Sequence, residues 1–358
     1  MKINKELFFC FLCLLSVPSQ IIASVDDSVV LASKMPKKLS DFGFFSNMQL
    51  QVPQEGVLPY DLINPLFTDY ADKLRFVYIP EGKSAKYHED LVFDFPDGSA
   101  LIKTFAYLNN AADSELEKQL LETRLLIKKG GAWRNISYVW NKEQSEAFLN
   151  IAGKTINTSF VAESGDIKKV RYRVPNINQC KECHQSGNEI KPIGPKARNL
   201  NQNYKYENIS MNQLDRWSDE GWIDSEINYK TMPDWSNASI DLDSRARAYL
   251  DINCGHCHIP GGSADTTGLY LNFTEERREH IGIYKKPVAA GRASNNFKFS
   301  IKPGAPEESI MPFRMQSRDP GIMMPESGRF LNHDEGVALI NKWIKSMLSL
   351  LICYIDLK

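Results

Sequence analysis

The pattern Cys-x-x-Cys-His occurs twice in this chain of 358 residues, at 180–184 (CKECH) and at 254–258 (CGHCH). In this pattern the two thiols attach to the vinyl groups of a c-type haem, and the histidine binds the iron from one face. The spacing corresponds to about one helical turn, so both sulfurs can reach the ring edge while the histidine lies beneath the metal. Chance repetition is improbable in a chain with seven Cys and six His. The sequence therefore predicts two covalent haems.

The two motifs predict six site residues directly. The haem-attaching thiols are those of Cys180, Cys183, Cys254 and Cys257, and the iron ligands are His184 and His258. Two other uses of the cysteines are open: a single zinc ion held by both pairs, or a pair of thioredoxin-like dithiols. Zinc knuckles usually lie about 15–20 residues apart, and neither alternative gives a role to the histidine after each pair.

A methionine is expected as the sixth ligand of the second haem iron. Met324 lies in a Gly-Ile-Met-Met-Pro-Glu loop before the last predicted helix, and the following proline favours an extended backbone there. Its thioether would raise the reduction potential. Met323 is the alternative in the same loop. His256 lies between the two cysteines of the second motif, and we interpret it as an exposed spacer.

The sixth ligand of the first haem iron is open. Met232 precedes a proline as Met324 does, which makes it one candidate. Met211 is a second, although its place on a predicted helix favours core packing. His88 is a third, although charged neighbours favour a surface position. The remaining possibility is an open coordination position.

The first 23 residues have the features of a secretory signal peptide. Lys2 and Lys5 precede a short apolar run at 7–17, and small residues at 23–24 offer a cleavage site. The run is too short to span a bilayer, so we predict a mature chain in the periplasm without a transmembrane segment. A net charge of -1 argues against nucleic acid as a partner.

The rest of the chain predicts an α+β multidomain fold: an N-terminal β-sandwich-like domain, then a mainly α-helical cytochrome c-type region. Strands are expected at 74–79, in a hairpin over 91–105 and in a second hairpin over 123–139. Helices are expected at 210–221, 243–254 and 332–347. The predicted divisions are 1–23 (signal), 39–174 (β-rich domain), 175–240 (first haem region), 241–348 (class I cytochrome c-like domain) and 349–358 (tail, with Cys353 of no predicted role).

Several segments together resemble a little-characterised family of bacterial periplasmic dihaem c-type cytochromes. They are 245–250 (RARAYL), 253–258 (NCGHCH), 287–292 (PVAAGR) and 319–326 (DPGIMMPE). The resemblance extends from about residue 39 to residue 347. It implies an envelope cytochrome with two haems and an N-terminal β-rich domain.

Three functions are consistent with these features. The first is an electron carrier that connects a periplasmic donor and acceptor through two haems. The second is a dihaem redox enzyme of the peroxidase kind with an open first iron, although no distal acid–base pair is apparent. The third gives the β-rich domain a binding role for a further partner.

Overall fold

The computed structural model describes residues 24–108, 118–162, 164–223 and 229–355, so the predicted signal peptide lies outside them. The strands in these ranges are β1 (Phe45–Asn47), β2 (Val52–Pro53), β3 (Val57–Tyr60), β4 (Asp72–Tyr78), β5 (Ala100–Leu108), β6 (Lys118–Lys129), β7 (Ala132–Trp140), β8 (Ala147–Asn150), β9 (Lys154–Val161), β10 (Ile167–Val174), β11 (Gln185–Ser186), β12 (Glu189–Ile190), β13 (Asn203–Lys205) and β14 (Ser210–Asn212). The α-helices are α1 (Asp27–Val30), α2 (Ile177–His184), α3 (Ala197–Leu200), α4 (Gln213–Asp219), α5 (Leu242–Asn253), α6 (Arg278–Ile281), α7 (Ile310–Gln316) and α8 (Asp334–Ile355). Short 3-10 helices lie at Leu39–Phe42, Asp265–Thr267, Gly291–Ser294 and Pro306–Glu308.

The main sheet is an antiparallel meander of six strands in the order β3-β4-β5-β6-β7-β8. The expected hairpin over 123–139 is present as β6 and β7, joined by Gly130 and Gly131, both of which have positive φ. The expected hairpin over 91–105 is wrong. Strand β5 pairs with β4 and β6, whereas residues 91–95 make only isolated bridges, such as that between Val92 and Lys196.

The predicted fold class is also wrong. The chain is β-rich with a few short helices, and its C-terminal half is not a mainly α-helical cytochrome c-type region. Among the described residues after 175, only α5 and α8 are longer than eight residues. The helix expected from 210 begins at Gln213, because the Asn212 side chain caps it by accepting a hydrogen bond from the Leu214 N–H.

The two faces of the sheet bury different cores. One face packs on the N-terminal segment around Phe42, Phe44 and Tyr138. The opposite face packs on the segment that contains α3 and α4, with Trp217 fully buried. The hairpin β9–β10 covers β5 and β6 through a separate aromatic cluster. In place of the expected sandwich there is therefore one large sheet with a two-stranded hairpin packed beside it.

The third core joins α5, α7 and α8 through Leu250, Ile340 and other apolar side chains. Helix α8 has 22 residues and continues past the expected end at Met347 into the predicted tail. Over the part of the chain that is described, no helix is both long and apolar enough to cross a membrane.

Candidate haem-attachment site

The two motifs line the same cavity, which has a volume of about 750 Å³. Every residue that the sequence assigned to the site lies in its wall: Cys180, Cys183, His184, Cys254, Cys257, His258 and Met324. A cavity of this size is within the range of cofactor sites, roughly 300–1,000 Å³. The fold thus brings together side chains that are far apart in sequence.

The first motif lies entirely within α2. Asn176 caps this helix and forms a reciprocal capping box with Gln179, which starts the helix just before Cys180. His184 is its last residue. Helical geometry therefore places both thiols and the histidine within two turns of each other.

The second motif forms a tight turn directly after α5. Cys254 caps the helix, and its carbonyl accepts hydrogen bonds from the N–H groups of Cys257 at 3.1 Å and His258 at 2.9 Å. Gly255 is required here, because a Cβ at this position would lie 2.7 Å from the carbonyl oxygen of Asp251. These hydrogen bonds hold the second motif in a turn, whereas the first motif is helical.

Both motif histidines present a defined tautomer. The Nδ1 of His184 lies 2.8 Å from the carbonyl oxygen of Lys191, which can only accept, so Nδ1 carries the proton. The Nδ1 of His258 lies 3.2 Å from the hydroxyl oxygen of Thr267, whose own proton goes to the carbonyl of Ala264. In each case Nε2 is left as a free lone pair for a metal, the usual arrangement of a metal-binding histidine.

Burial keeps these imidazoles neutral. It lowers the pKa of His184 to about 3, with Lys103 as a second cause, and the pKa of His258 to about 4. Burial also raises the pKa of the Cys254 thiol to about 12. Neutral imidazole is the form that binds iron.

Direct contacts join the two motif-bearing segments. The N–H of Gly187 donates to the carbonyl of Gly261 at 2.7 Å, one turn beyond each motif. Deeper in the fold, the buried carboxylate of Asp251 on α5 accepts from Lys196 at 3.0 Å and from Arg198 at 3.2 Å. The segments therefore form one structural unit around the cavity.

The loop that carries Met324 is held by Arg329. The Arg329 guanidinium donates to the backbone carbonyls of Met324 at 3.0 Å and Ser317 at 2.8 Å, among others. The N–H of Met324 donates to the carbonyl of Arg314 at 3.0 Å. The predicted ligand thus lies in a loop with a defined backbone, and the neighbouring Met323 is buried outside the cavity wall.

None of the candidates for the sixth ligand of the first iron lies in the cavity wall. Met232 is buried among other residues, and its N–H donates to the carbonyl of Arg198. Met211 lies in β14 opposite Tyr204, and not on the expected helix. His88 accepts hydrogen bonds from the N–H groups of its own turn at the surface. The local sequence around Met232, Met211 and His88 carries no information on how far each residue lies from the first motif in the folded chain.

The interpretation of His256 as an exposed spacer is not supported. Its side chain is half-buried and lines the cavity, and its Nδ1 is buried without a hydrogen-bond partner among the described residues. Ligand atoms of Cys183, His256 and Cys257 lie within 4.8 Å of one another. This cluster joins the two motifs and could hold a metal ion.

The sequence analysis also did not single out three of the cations in the cavity wall, Arg75, Lys103 and Arg124. Each lies in a strand, where a charged residue among apolar neighbours is typical of a solvent-facing position. The sequence feature that could have revealed them is that one cation occurs on each of three successive strands, β4, β5 and β6.

Comparisons with family models, curated proteins and solved structures find no match to this chain. Whether a haem c fits this site is therefore judged from the side chains that line the cavity. Paired thiols, neutral imidazoles with a free Nε2 and a thioether face one cavity. Paired thiols and a histidine with a free Nε2 are the groups that attach and ligate a haem c, and a thioether is one of its possible sixth ligands, so the residues fit it.

Proposed function

We propose that this chain is a periplasmic dihaem c-type cytochrome that transfers electrons between a donor and an acceptor protein. The observation that supports it is that both Cys-x-x-Cys-His motifs open into one cavity, with the Nδ1 of each histidine occupied. The proposal agrees with the resemblance to bacterial dihaem cytochromes and with the signal-like first 23 residues. Haem iron, when bound, supplies a ferric–ferrous couple.

The chain's own residues set the conditions for that couple. Cys180 and Cys183 would fix one haem, and Cys254 and Cys257 the other. Thr267 and the Lys191 carbonyl orient the two imidazoles and increase their basicity as ligands. On the second iron, the Met324 thioether would favour the reduced state.

A relay is favoured over two independent carriers by the position of the second cysteine of each motif. Cys183 and Cys257 have their sulfur atoms within 4.8 Å of each other. Groups attached to these two sulfurs would be neighbours in one cavity. Electrons could then enter at one group and leave at the other.

One observation favours an enzyme as the alternative. Met232, Met211 and His88 do not line the cavity, which favours the remaining possibility of an open position on the first iron. An open first iron could react with peroxide or another small oxidant. In this case the second haem would supply electrons to it.

A different second candidate is a metal ion held by Cys183, His256 and Cys257. Their ligand atoms lie within 4.8 Å of one another, and a Cys-His donor set suits zinc. This site and haem attachment exclude each other, since both use the thiols of Cys183 and Cys257.

The deciding experiment is to express the full chain with c-type maturation and measure its mass and reduced spectrum, with and without carbon monoxide. Two attached haems are expected, one lost in the double variant Cys180→Ala/Cys183→Ala and the other in Cys254→Ala/Cys257→Ala. A mass without haem, with bound zinc, would refute the proposal. If the gas leaves both haems unchanged, the carrier is supported. If about half of the haem binds it, the enzyme alternative takes precedence and peroxide turnover is tested.

A further inference from the structure

The hairpin β9–β10 turns a row of cations to the solvent. Its inner side chains, among them Val170 and Tyr172, are buried against the sheet. Because side chains alternate along a strand, the positions between these residues face outwards. Three of them on β10 are exposed cations, Lys169, Arg171 and Arg173, which we call the basic stripe. With about 3.3 Å per residue, the stripe extends over roughly 13 Å.

The basic stripe has no acidic neighbour across the hairpin. The residues paired with its three cations on β9 are uncharged: Ser159, Asn157 and Thr155. Arg173 donates a hydrogen bond to the Thr155 hydroxyl at 3.2 Å, and no described carboxylate lies at ion-pair distance from the stripe. Charged side chains can also protect a strand edge from aggregation, but that role does not require all of them to have one sign. Three cations without an anion favour a negatively charged partner.

The basic stripe leads directly to the first motif. Its last member, Arg173, lies in the cavity wall together with Cys180 and Cys183. Strand β10 ends at the next residue, and Asn176 then caps the helix that carries the motif. The surface of the stripe is therefore continuous with the cavity at the first motif.

Two exposed isoleucines adjoin this end of the stripe. Ile177, the first residue of α2, is 48% exposed, and Ile151 is 61% exposed. The N–H of Ile177 donates to the carbonyl of Ile151 at 3.3 Å. Gly153 packs on the end of β10, since a Cβ there would lie 2.9 Å from the carbonyl oxygen of Val174. An apolar contact beside a charged surface is the usual composition of an interface between proteins.

The tip of the hairpin favours a protein over a lipid surface as the partner. Anionic lipids also attract clusters of cations. At the tip, however, the exposed Asp166 adjoins the exposed Ile167, and its negative charge opposes contact with anionic headgroups. The pair Ile151 and Ile177 lies at the other end of the hairpin, beside the motif.

We propose that the basic stripe, with Ile151 and Ile177, is the docking surface for an acidic electron-transfer protein, which exchanges electrons with the haem attached at Cys180 and Cys183. This inference rests on the proposed dihaem function and names the kind of partner. One electron passes in each transfer: the partner is oxidised when the haem is reduced, and no bond breaks. The hairpin of the β-rich part would confine this partner to the first haem and leave the second haem to another protein.

The test measures how fast the mature ferric protein is reduced by a plant-type ferredoxin, a small acidic protein with a low reduction potential. Wild type is compared with Lys169→Gln/Arg171→Gln and with the control Lys34→Gln/Lys37→Gln. Arg173 is left unchanged because it lines the cavity. Lys34 and Lys37 are exposed as well, but they lie in the N-terminal segment, which packs on the other face of the sheet. Both variants therefore lose the same charge at different places.

At low salt we expect the stripe variant to be reduced by ferredoxin roughly tenfold more slowly than wild type, and the control at the wild-type rate. The uncharged deazariboflavin radical should reduce all three proteins equally fast, because it does not require a docking surface. Two attached haems with equal ferredoxin rates in all three proteins, or with equal losses in both variants, would overturn the inference alone. A wild-type chain without haem would overturn the proposed function.

The salt dependence in wild type gives a result that needs no variant. The chain has a net charge of -1, so without a local cationic site an acidic protein is weakly repelled, and added salt leaves the rate unchanged or raises it. We expect the ferredoxin rate to fall as salt is added, and a rate that does not fall would contradict the docking surface. Cosedimentation with phosphatidylglycerol vesicles checks the lipid alternative. Binding that is lost in the stripe variant would assign the stripe to a lipid surface and overturn the protein partner.

Discussion

Asp251 is the clearest point at which to test how the two motif-bearing segments are held together. Its buried carboxylate on α5 accepts from Lys196 at 3.0 and 3.1 Å, from Arg198 at 3.2 Å, and from the N–H of Phe273 at 2.9 Å. We predict that Asp251→Asn destabilises the protein strongly, because two cations near the interior then lose a charged partner.

The expected magnitude follows from these contacts. Removing one partner of a buried ion pair costs about 3–5 kcal/mol. The asparagine oxygen can still accept from Phe273, and Arg198 keeps Asp90 at 2.7 Å, so Lys196 is the group left unpaired. The loss should therefore be near the lower limit, about 3 kcal/mol.

The assay is guanidinium unfolding of the mature protein, followed by far-ultraviolet circular dichroism. The control is Asp90→Asn, which removes the half-exposed carboxylate from the same Arg198 and should cost about 0–1 kcal/mol. Equal midpoint shifts in the two variants would refute the reasoning. The segments would then be joined by their backbone contacts and not by the buried charge.

Three further outcomes are expected. Burial raises the pKa of Asp251, but Lys196 and Arg198 outweigh this effect, so the pKa is lowered from its ordinary value of 3.8. The stabilising contribution of the carboxylate should therefore be lost as the pH falls below 3.8. The difference in unfolding free energy between wild type and Asp251→Asn should become smaller in that range. Arg329→Gln removes charge-assisted hydrogen bonds to the loop that carries the predicted ligand Met324. We expect about 2–3 kcal/mol of destabilisation and a larger fraction of reduced haem that binds carbon monoxide. An unchanged fraction would contradict this role of Arg329. Thr267→Val removes the hydroxyl acceptor of the His258 imidazole and leaves only its backbone hydrogen bond at Leu269. The imidazole becomes a weaker donor to ferric iron, so redox titration should find a higher potential for the second haem and no change in the first.

Much of the local structure could be predicted because it depends on neighbours in the chain. The alternation of 74–79 and the glycine pair after 129 predict β4 and the β6–β7 hairpin. The apolar period of 243–254 predicts α5, which begins at Leu242 after the cap Asp241. The fold class could not be obtained in this way, since it depends on how far each element continues and on what covers it.

The sequence by itself determined the chemistry of the site. The spacing within each Cys-x-x-Cys-His motif is local, so one turn of backbone is enough to place two thiols beside an imidazole. The methionine-proline pair at 324–325 could be selected for the same reason. None of these inferences requires knowledge of distant contacts.

Only the tertiary structure decided which residues share the cavity. It brings the ligand atoms of His256, Cys183 and Cys257 within 4.8 Å of one another, leaves Met232 outside the cavity wall, and aligns Lys103 with two arginines across three strands. Pairing between strands and contact between motifs join positions that are distant in the chain, and loop closure leaves no periodic trace in the sequence. The cysteines, histidines and methionine of the candidate site can therefore be selected from local patterns, whereas the charge and the enclosure around them arise only when the sheet and the two motif segments pack together.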